Sequence, residues 1–204
     1  MDVQKRNMNR KIILASSSPR RKQIMEQIGL DCIVEVSDYE EKLIPDVSVE
    51  EFVKTLSLGK AKSVAKNHQD AIIIGADTTV FIDNQILGKP KTLAGASEML
   101  HKLSGKTHSV FTGFTVIDTK NNIIITDFIE TKIKFKDLSE EEISGYIESG
   151  EPMDKAGAYG VQGKGALLVE HIEGDYANIT GLPIVKIVEI LKTLGVDTLK
   201  VYEQ

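Results

Sequence analysis

Six consecutive residues, Ser16, Ser17, Ser18, Pro19, Arg20 and Arg21, combine hydroxyl donors with two guanidinium groups. They lie between an apolar run at 11–15 and a segment in which Ile24, Met25 and Ile28 recur at helical spacing, so the pattern predicts strand, loop, helix. The free N–H groups and dipole of a helix N-terminus favour an anion, and arginine grips phosphate through paired hydrogen bonds. These are the ingredients of a triphosphate cradle. The competing reading is a capped surface helix with two solvated arginines.

Asp77 follows a branched, continuously apolar run at 71–76, which reads as a strand buried on both faces that stops at Asp77, Thr78 and Thr79. Carboxylates at strand ends of α/β sheets face ligands, where they bind a divalent cation or accept a proton from water. Turn formation by Asp77 and Thr78 is the plainer role. Glu41, beside Glu40, offers a second carboxylate or belongs to a solvated acidic loop. Lys60, on an expected helix, and Lys89, between Gly88 and Pro90, either neutralise phosphate charge or stand as surface lysines.

The glycine-rich stretch 155–165 either brings a ligand close to backbone N–H groups or forms a flexible turn. It is not a P-loop, because Lys164 is followed by Gly165 instead of Ser or Thr and Ala158 stands in place of the first glycine. Nor do Gly160, Gly163 and Gly165 have the spacing of a dinucleotide fingerprint. A cationic loop, carboxylates at expected strand ends and a glycine-rich loop are together the parts a metal-assisted phosphoanhydride hydrolase needs.

The chain that must position these groups has 204 residues, 41% hydrophobic and 27% charged. That suits one compact domain, which at this size hides roughly 70% of the surface its unfolded chain exposes. With 25 basic against 30 acidic residues the net charge is −5, which gives no general pull toward nucleic-acid polymers or anionic membranes but leaves room for a small anionic ligand. Cys32, the single cysteine, cannot form an intramolecular disulfide and reads as a small core residue. His68, His101, His108 and His171 lack metal-ligand spacing. No apolar run approaches the ~20 residues needed to cross a bilayer, and the polar extension 1–10 has no signal-peptide core. The expectation is a soluble, cytoplasmic protein.

Along the chain, Pro19 suits a first helical turn after an N-cap at Ser18, with Gly29 at the exit. A second strand is expected at 32–36, and Ser48 with Glu51 predicts a capping-box helix to about Asn67. Asp83 and Asn84 read as a tight hairpin turn between 80–82 and 85–87. Thr92 opens a helix ending near Leu103, and a long hairpin with arms 109–118 and 123–135 turns at Asn121 and Asn122. Ser139 with Glu142 predicts another capping box, followed after the glycine-rich stretch by a strand at 167–172 and a closing helix after Pro183.

Six ordered motifs spanning nearly the whole chain resemble the Maf family of nucleoside triphosphate pyrophosphatases, proteins also named for septum formation. They are LASSSPRR at 14–21, GADT at 75–78, GKP at 88–90, LSG at 103–105, EPMDKAGAYGVQG at 151–163, and GDY at 174–176 with GLP at 181–183. The resemblance implies an elongated two-lobed α/β fold over 11–204, with a mixed sheet and a central cleft, related to the inosine triphosphate pyrophosphatases. It implies hydrolysis of a nucleoside triphosphate to the monophosphate and pyrophosphate, with Asp77 as proton acceptor. Arg21, Thr78 and Gln162 are then associated with substrate choice and look like the branch acting on dTTP and UTP, while Ser16, Arg20, Glu41, Lys60 and Lys89 match other active-site positions.

Chemistry agrees with these assignments. A divalent cation, magnesium or manganese, suits oxygen ligands from Glu41 and Asp77, while Arg20, Arg21, Lys60 and Lys89 hold phosphate oxygens. A homodimer is plausible from the resemblance. Two other readings use the same residues: a nucleotide-binding regulator of septum formation acting through a protein partner, and a phosphatase releasing the terminal phosphate.

Overall fold

The computed structural model describes residues 10–41 and 47–196; residues 1–9 of the polar extension, Lys42 and the chain beyond 196 lie outside the described residues. Strand β1 (Lys11–Leu14) buries Ile12, Ile13 and Leu14 and pairs in parallel with β2 (Ile33–Val34) and with β3 (Ala71–Ile82). Helix α1 (Pro19–Gln27) crosses from β1 to β2, and α2 (Val49–Ala65) crosses from β2 to β3. Parallel neighbours need such helical crossovers. The sequence then changes to antiparallel pairing. Strand β4 (Gln85–Leu87) folds back on β3 through Asp83 and Asn84, whose φ values of 49° and 57° suit a type I′ turn.

Helix α3 (Leu93–Leu103) is capped by Thr92 and leads to the long hairpin of β5 (Thr107–Asp118) and β6 (Ile123–Phe135). Helix α4 (Glu140–Glu148) carries the expected reciprocal box between Ser139 and Glu142. Strand β7 (Val169–Glu173), the short α5 (Tyr176–Ile179) and α6 (Ile184–Thr193) complete the chain. Among the described residues the sheet has seven strands in the order β2-β1-β3-β5-β6-β7, with β4 attached to β3, which is the mixed α/β class expected.

Several boundaries differ from expectation. Strand β3 does not stop at Asp77: it runs to Ile82, because β5 pairs with it from Ile72 to Phe81 and the Asp77 and Thr78 side chains find partners on Lys60 and Thr112. Strand β2 is shorter than 32–36, since its parallel partner β1 ends at Leu14. Cys32 precedes it, half-buried against the core under α1. Strand β7 begins at Val169 because Lys164–Leu168 winds into a 3-10 turn.

At Gly75 and Gly113 the backbone of helix α2 comes too close to the sheet for a side chain to lie between them. A Cβ built on Gly75 would stand 2.6 Å from the Ser57 carbonyl oxygen and 2.8 Å from the Ala61 amide nitrogen, and one on Gly113 would overlap the Val53 carbonyl. Ser57 Oγ and Thr115 Oγ1, 3.0 Å apart, pin the same face. Since backbone cannot move aside as a side chain does, Gly113→Ala should cost about 1–3 kcal/mol in urea unfolding. Gly145→Ala, on α4 where a methyl meets open space, should instead stabilise by about 1 kcal/mol.

Candidate active site

Along the edge of β3, β1 pairs as far as Ile74 and the pairing with β4 starts at Val80. Among the described residues no strand covers 75–79 on that side. A cavity of about 780 Å³ opens into this interruption, within the usual range of roughly 300–1,000 Å³ for small-molecule sites. All nine residues singled out from the sequence line it: Ser16, Arg20, Arg21, Glu41, Lys60, Asp77, Thr78, Lys89 and Gln162. Asp77 reaches it from the middle of β3, where an interruption in the neighbouring strands substitutes for a strand end.

Successive strand residues point to opposite faces. Asp77 points toward α2, where Lys60 Nζ stands 2.5 Å from Asp77 Oδ1 and 2.6 Å from Glu41 Oε1. The Lys60 and Asp77 side chains are 13% and 12% exposed, whereas Glu41 is 57% exposed. The Lys60–Asp77 pair therefore feels the lower dielectric and the stronger attraction. Ionised carboxylate and ammonium also satisfy one another's hydrogen bonds at this depth.

Thr78 points to the other face, toward α1. The buried Arg21 donates from Nε to the Gly181 carbonyl at 2.7 Å, from one terminal nitrogen to Ser16 Oγ at 3.0 Å, and from the other to Thr78 Oγ1 at 3.1 Å. Burial pulls its pKa below the ordinary arginine value, with the Asp77 charge opposing that pull. Thr78 Oγ1 lies 2.9 Å from Thr112 Oγ1, which donates to the Asn178 carbonyl at 2.9 Å. Arg21 thus locks the loop after β1, strand β3 and the turn before α6 together. Helix α1 starts at Pro19 without a side-chain cap bond from Ser18, and its first residues, Pro19, Arg20 and Arg21, line the cavity.

At the mouth, Arg20 donates to Asp154 Oδ2 at 3.2 Å, and Asp154 also receives Lys155 Nζ at 2.6 Å. Lys89 is exposed and also lines the cavity. The glycine-rich stretch is anchored: Glu151 accepts from Tyr146 Oη at 3.0 Å, Lys164 N at 3.0 Å and Gly165 N at 3.2 Å. Tyr159 is held by His108, whose Nε2 lies 2.7 Å from its hydroxyl and whose pKa burial pushes down to about 4. Gln162 is therefore presented by a braced loop.

Sequence reasoning did not assign roles to Thr112, Asn178, Glu151 or Asp154. Glu151 and Asp154 stand within the EPMDKAG run, and their motif was the available signal. Thr112 shows no signal until the β3–β5 register places it opposite Thr78.

Among the described residues no group of three or more His, Cys, Asp or Glu could hold a metal by itself. Two carboxylates sharing one ammonium nevertheless fit a magnesium-type ion, which commonly takes one or two protein carboxylates and completes its shell with substrate phosphate oxygens and water.

A nucleotide-sized cavity at an interrupted sheet edge, cationic at its rim and carboxylate-bearing at its floor, defines an α/β protein built for a phosphorylated ligand. More specifically, the chain belongs to the Maf family, whose model, described as Maf-like protein, matches residues 11–194. A dTTP/UTP pyrophosphatase of Methanococcoides burtonii is 47% identical over 189 residues, covering 92% of this chain and 97% of that protein. Proteins of the same name from Bacillus anthracis and Bacillus cereus (strain ATCC 10987 / NRS 248) are 48% and 47% identical, covering 92% and 97% of this chain and 97% of each relative. Among solved structures, the Staphylococcus aureus Ham1 protein aligns over 63% of this chain and 73% of that one, with a TM-score of 0.45 and 16% identity.

Arg21→Lys keeps the charge but cannot serve acceptors on three separate elements. It should lower the unfolding free energy by about 1–3 kcal/mol in guanidinium titration, the cost of leaving buried acceptors unpaired. A wild-type midpoint would show that the guanidinium network does not brace the fold.

Proposed function

We propose that this protein hydrolyses dTTP and UTP to the nucleoside monophosphate and pyrophosphate, a house-cleaning role in the nucleotide pool. The observation that carries the reading is the buried Asp77–Lys60 pair at the floor of a nucleotide-sized cavity, in a chain closely related to pyrophosphatases of that specificity.

Arg20, Lys89 and the open N-terminus of α1 receive the outer phosphates, with Ser16 contributing a hydroxyl. Lys60 balances charge beside the phosphorus under attack, and Asp77 orients the attacking water and takes its proton. Glu41 and Asp77 hold the divalent cation, magnesium or manganese, which when bound supplies Lewis acidity and charge neutralisation. Arg21 serves this arrangement by fixing Thr78 and Ser16; Gly181, Ser16 and Thr78 engage three of its five N–H groups, and the remaining one on each terminal nitrogen can donate to the substrate.

Gln162 offers an adjacent donor and acceptor that complement the carbonyl and N–H edge shared by uracil and thymine. Its braced loop keeps that amide aimed into the cavity, and a buried polar group left unpaired by the wrong base discriminates strongly. We place the enzyme in the cytoplasm, where nucleoside triphosphates are present and the free Cys32 stays reduced. Among the described residues no helix is long and apolar enough to cross a membrane. A homodimer is part of the same reading, and sedimentation of the purified protein tests it.

Incubation of dTTP or UTP with magnesium or manganese should release monophosphate and pyrophosphate. Diphosphate and orthophosphate would instead place the attack on the terminal phosphorus, and no turnover of any nucleoside triphosphate would favour the regulator. Asp77→Asn retains an acceptor for Lys60 but loses basicity and charge. Turnover should fall by about 10²- to 10⁴-fold, with circular dichroism unchanged. Near-normal turnover in the folded variant would return Asp77 to a structural role.

A further inference from the structure

Residues 35–41 run beside α2 and are fastened to that helix and its C-terminal turn at successive positions. Glu35 contacts His68 Nε2 at 2.8 Å, Ser37 Oγ lies 2.7 Å from Ser63 Oγ, Asp38 accepts from Lys66 at 2.9 Å, and Glu41 meets Lys60 at 2.6 Å. The Asp38–Lys66 pair is largely exposed, so water and salt weaken its hold. The half-buried Tyr39 makes a different kind of contact. A Cβ built on Gly59 would be almost equally far from Cε1, Cζ and Cε2 of its ring, well inside van der Waals contact.

Near-equal distances to three adjacent ring atoms place that point over the ring face, not beyond its edge. The ring therefore lies flat against the backbone of α2. Gly59 immediately precedes Lys60, and Tyr39 precedes Glu41 by two residues, so this contact joins the two chain segments that bring Lys60 and Glu41 together. A helix interior ordinarily favours alanine over glycine. Here the bare backbone gives the ring its place. The Tyr39 amide also donates to Ser37 Oγ at 3.0 Å, which fixes the local path of the segment.

We propose that Tyr39 is a positioning residue, whose ring seated on Gly59 sets the separation of Glu41 from Lys60 and thereby the charge arrangement at Asp77. The kinetic part of its test rests on the pyrophosphatase reading; the structural part does not. The experiment compares Gly59→Ala, Tyr39→Ala, their double variant and Tyr39→Phe by dTTP kinetics with magnesium, thermal unfolding and amide hydrogen exchange at Tyr39.

Displacing a reacting group by about 1 Å can cost up to about 100-fold in rate, so each Ala variant should lose about 10-fold in kcat with KM within about two-fold. The backbone amide of residue 39 should exchange about 10-fold faster in both, after allowance for the intrinsic rate of the residue present. Gly59→Ala should melt no lower than wild type, Tyr39→Phe should keep wild-type values, and the double variant should be no worse than Tyr39→Ala because its methyl has no ring to meet.

Wild-type kcat and exchange in Gly59→Ala, a kcat loss that merely follows a lowered melting point, or additive losses in the double variant would overturn the proposal. Should Gly59→Ala fail to fold, Tyr39→Ala decides: unchanged kcat and exchange overturn it, and loss of both with rescue in Tyr39→Phe supports it. A wild-type protein that turned over no nucleotide would defeat the pyrophosphatase reading, and the exchange comparison alone would then decide the positioning role.

Discussion

Between α2 and the sheet beneath it there is no room for a Cβ at Gly75 or Gly113, and this close approach governs the floor of the site. Gly75 lies two residues before Asp77 on the same strand face, and Gly113 is Asp77's partner across the β3–β5 ladder. The glycines that admit the helix therefore surround the carboxylate that the helix serves. Raising α2 would carry Lys60 away from Asp77 and Glu41 with it. A long, flexible lysine could follow part of that movement, but a buried carboxylate left without its cation would bear a heavy desolvation cost.

The opposite side of β3 shows a second constraint. Its neighbour changes from the parallel β1 to the antiparallel β4, and the gap between them exposes a stretch of strand edge to the cavity. Unpaired strand edges ordinarily invite another strand. Here the loop before α1, Arg21 and the braced glycine-rich stretch stand around the opening and line a cavity in its place.

Much of this architecture was legible in residues that act locally. Asp83 with Asn84, Ser139 with Glu142, and Thr92 announced their elements because turns and caps are determined within a few residues. The gathering of nine dispersed residues around one cavity was also legible, through motifs spread along the chain. The extension of β3 through Asp77, Thr78 and Thr79 was hidden, because polar residues continue a strand only when other elements satisfy them. Lys60 and Thr112 do so from 17 and 34 residues away. Likewise, glycines dispersed through α2, β3 and β5 acquire a shared meaning only once their backbones meet.

Asp77 and Thr78 are adjacent in sequence yet belong to different neighbourhoods: one joins Lys60 and Glu41, the other joins Arg21, Thr112 and the Asn178 carbonyl. The pleat works as a partition between them. On the proposed reading, bond breaking is served from one face of β3 and substrate selection from the other, with the sheet itself as the wall. Descendants of such a protein can diverge in the nucleotides they accept by substitutions on the Thr78 side while selection preserves the hydrolytic apparatus on the Asp77 side. On that reading, a single dipeptide makes catalysis and specificity separately heritable.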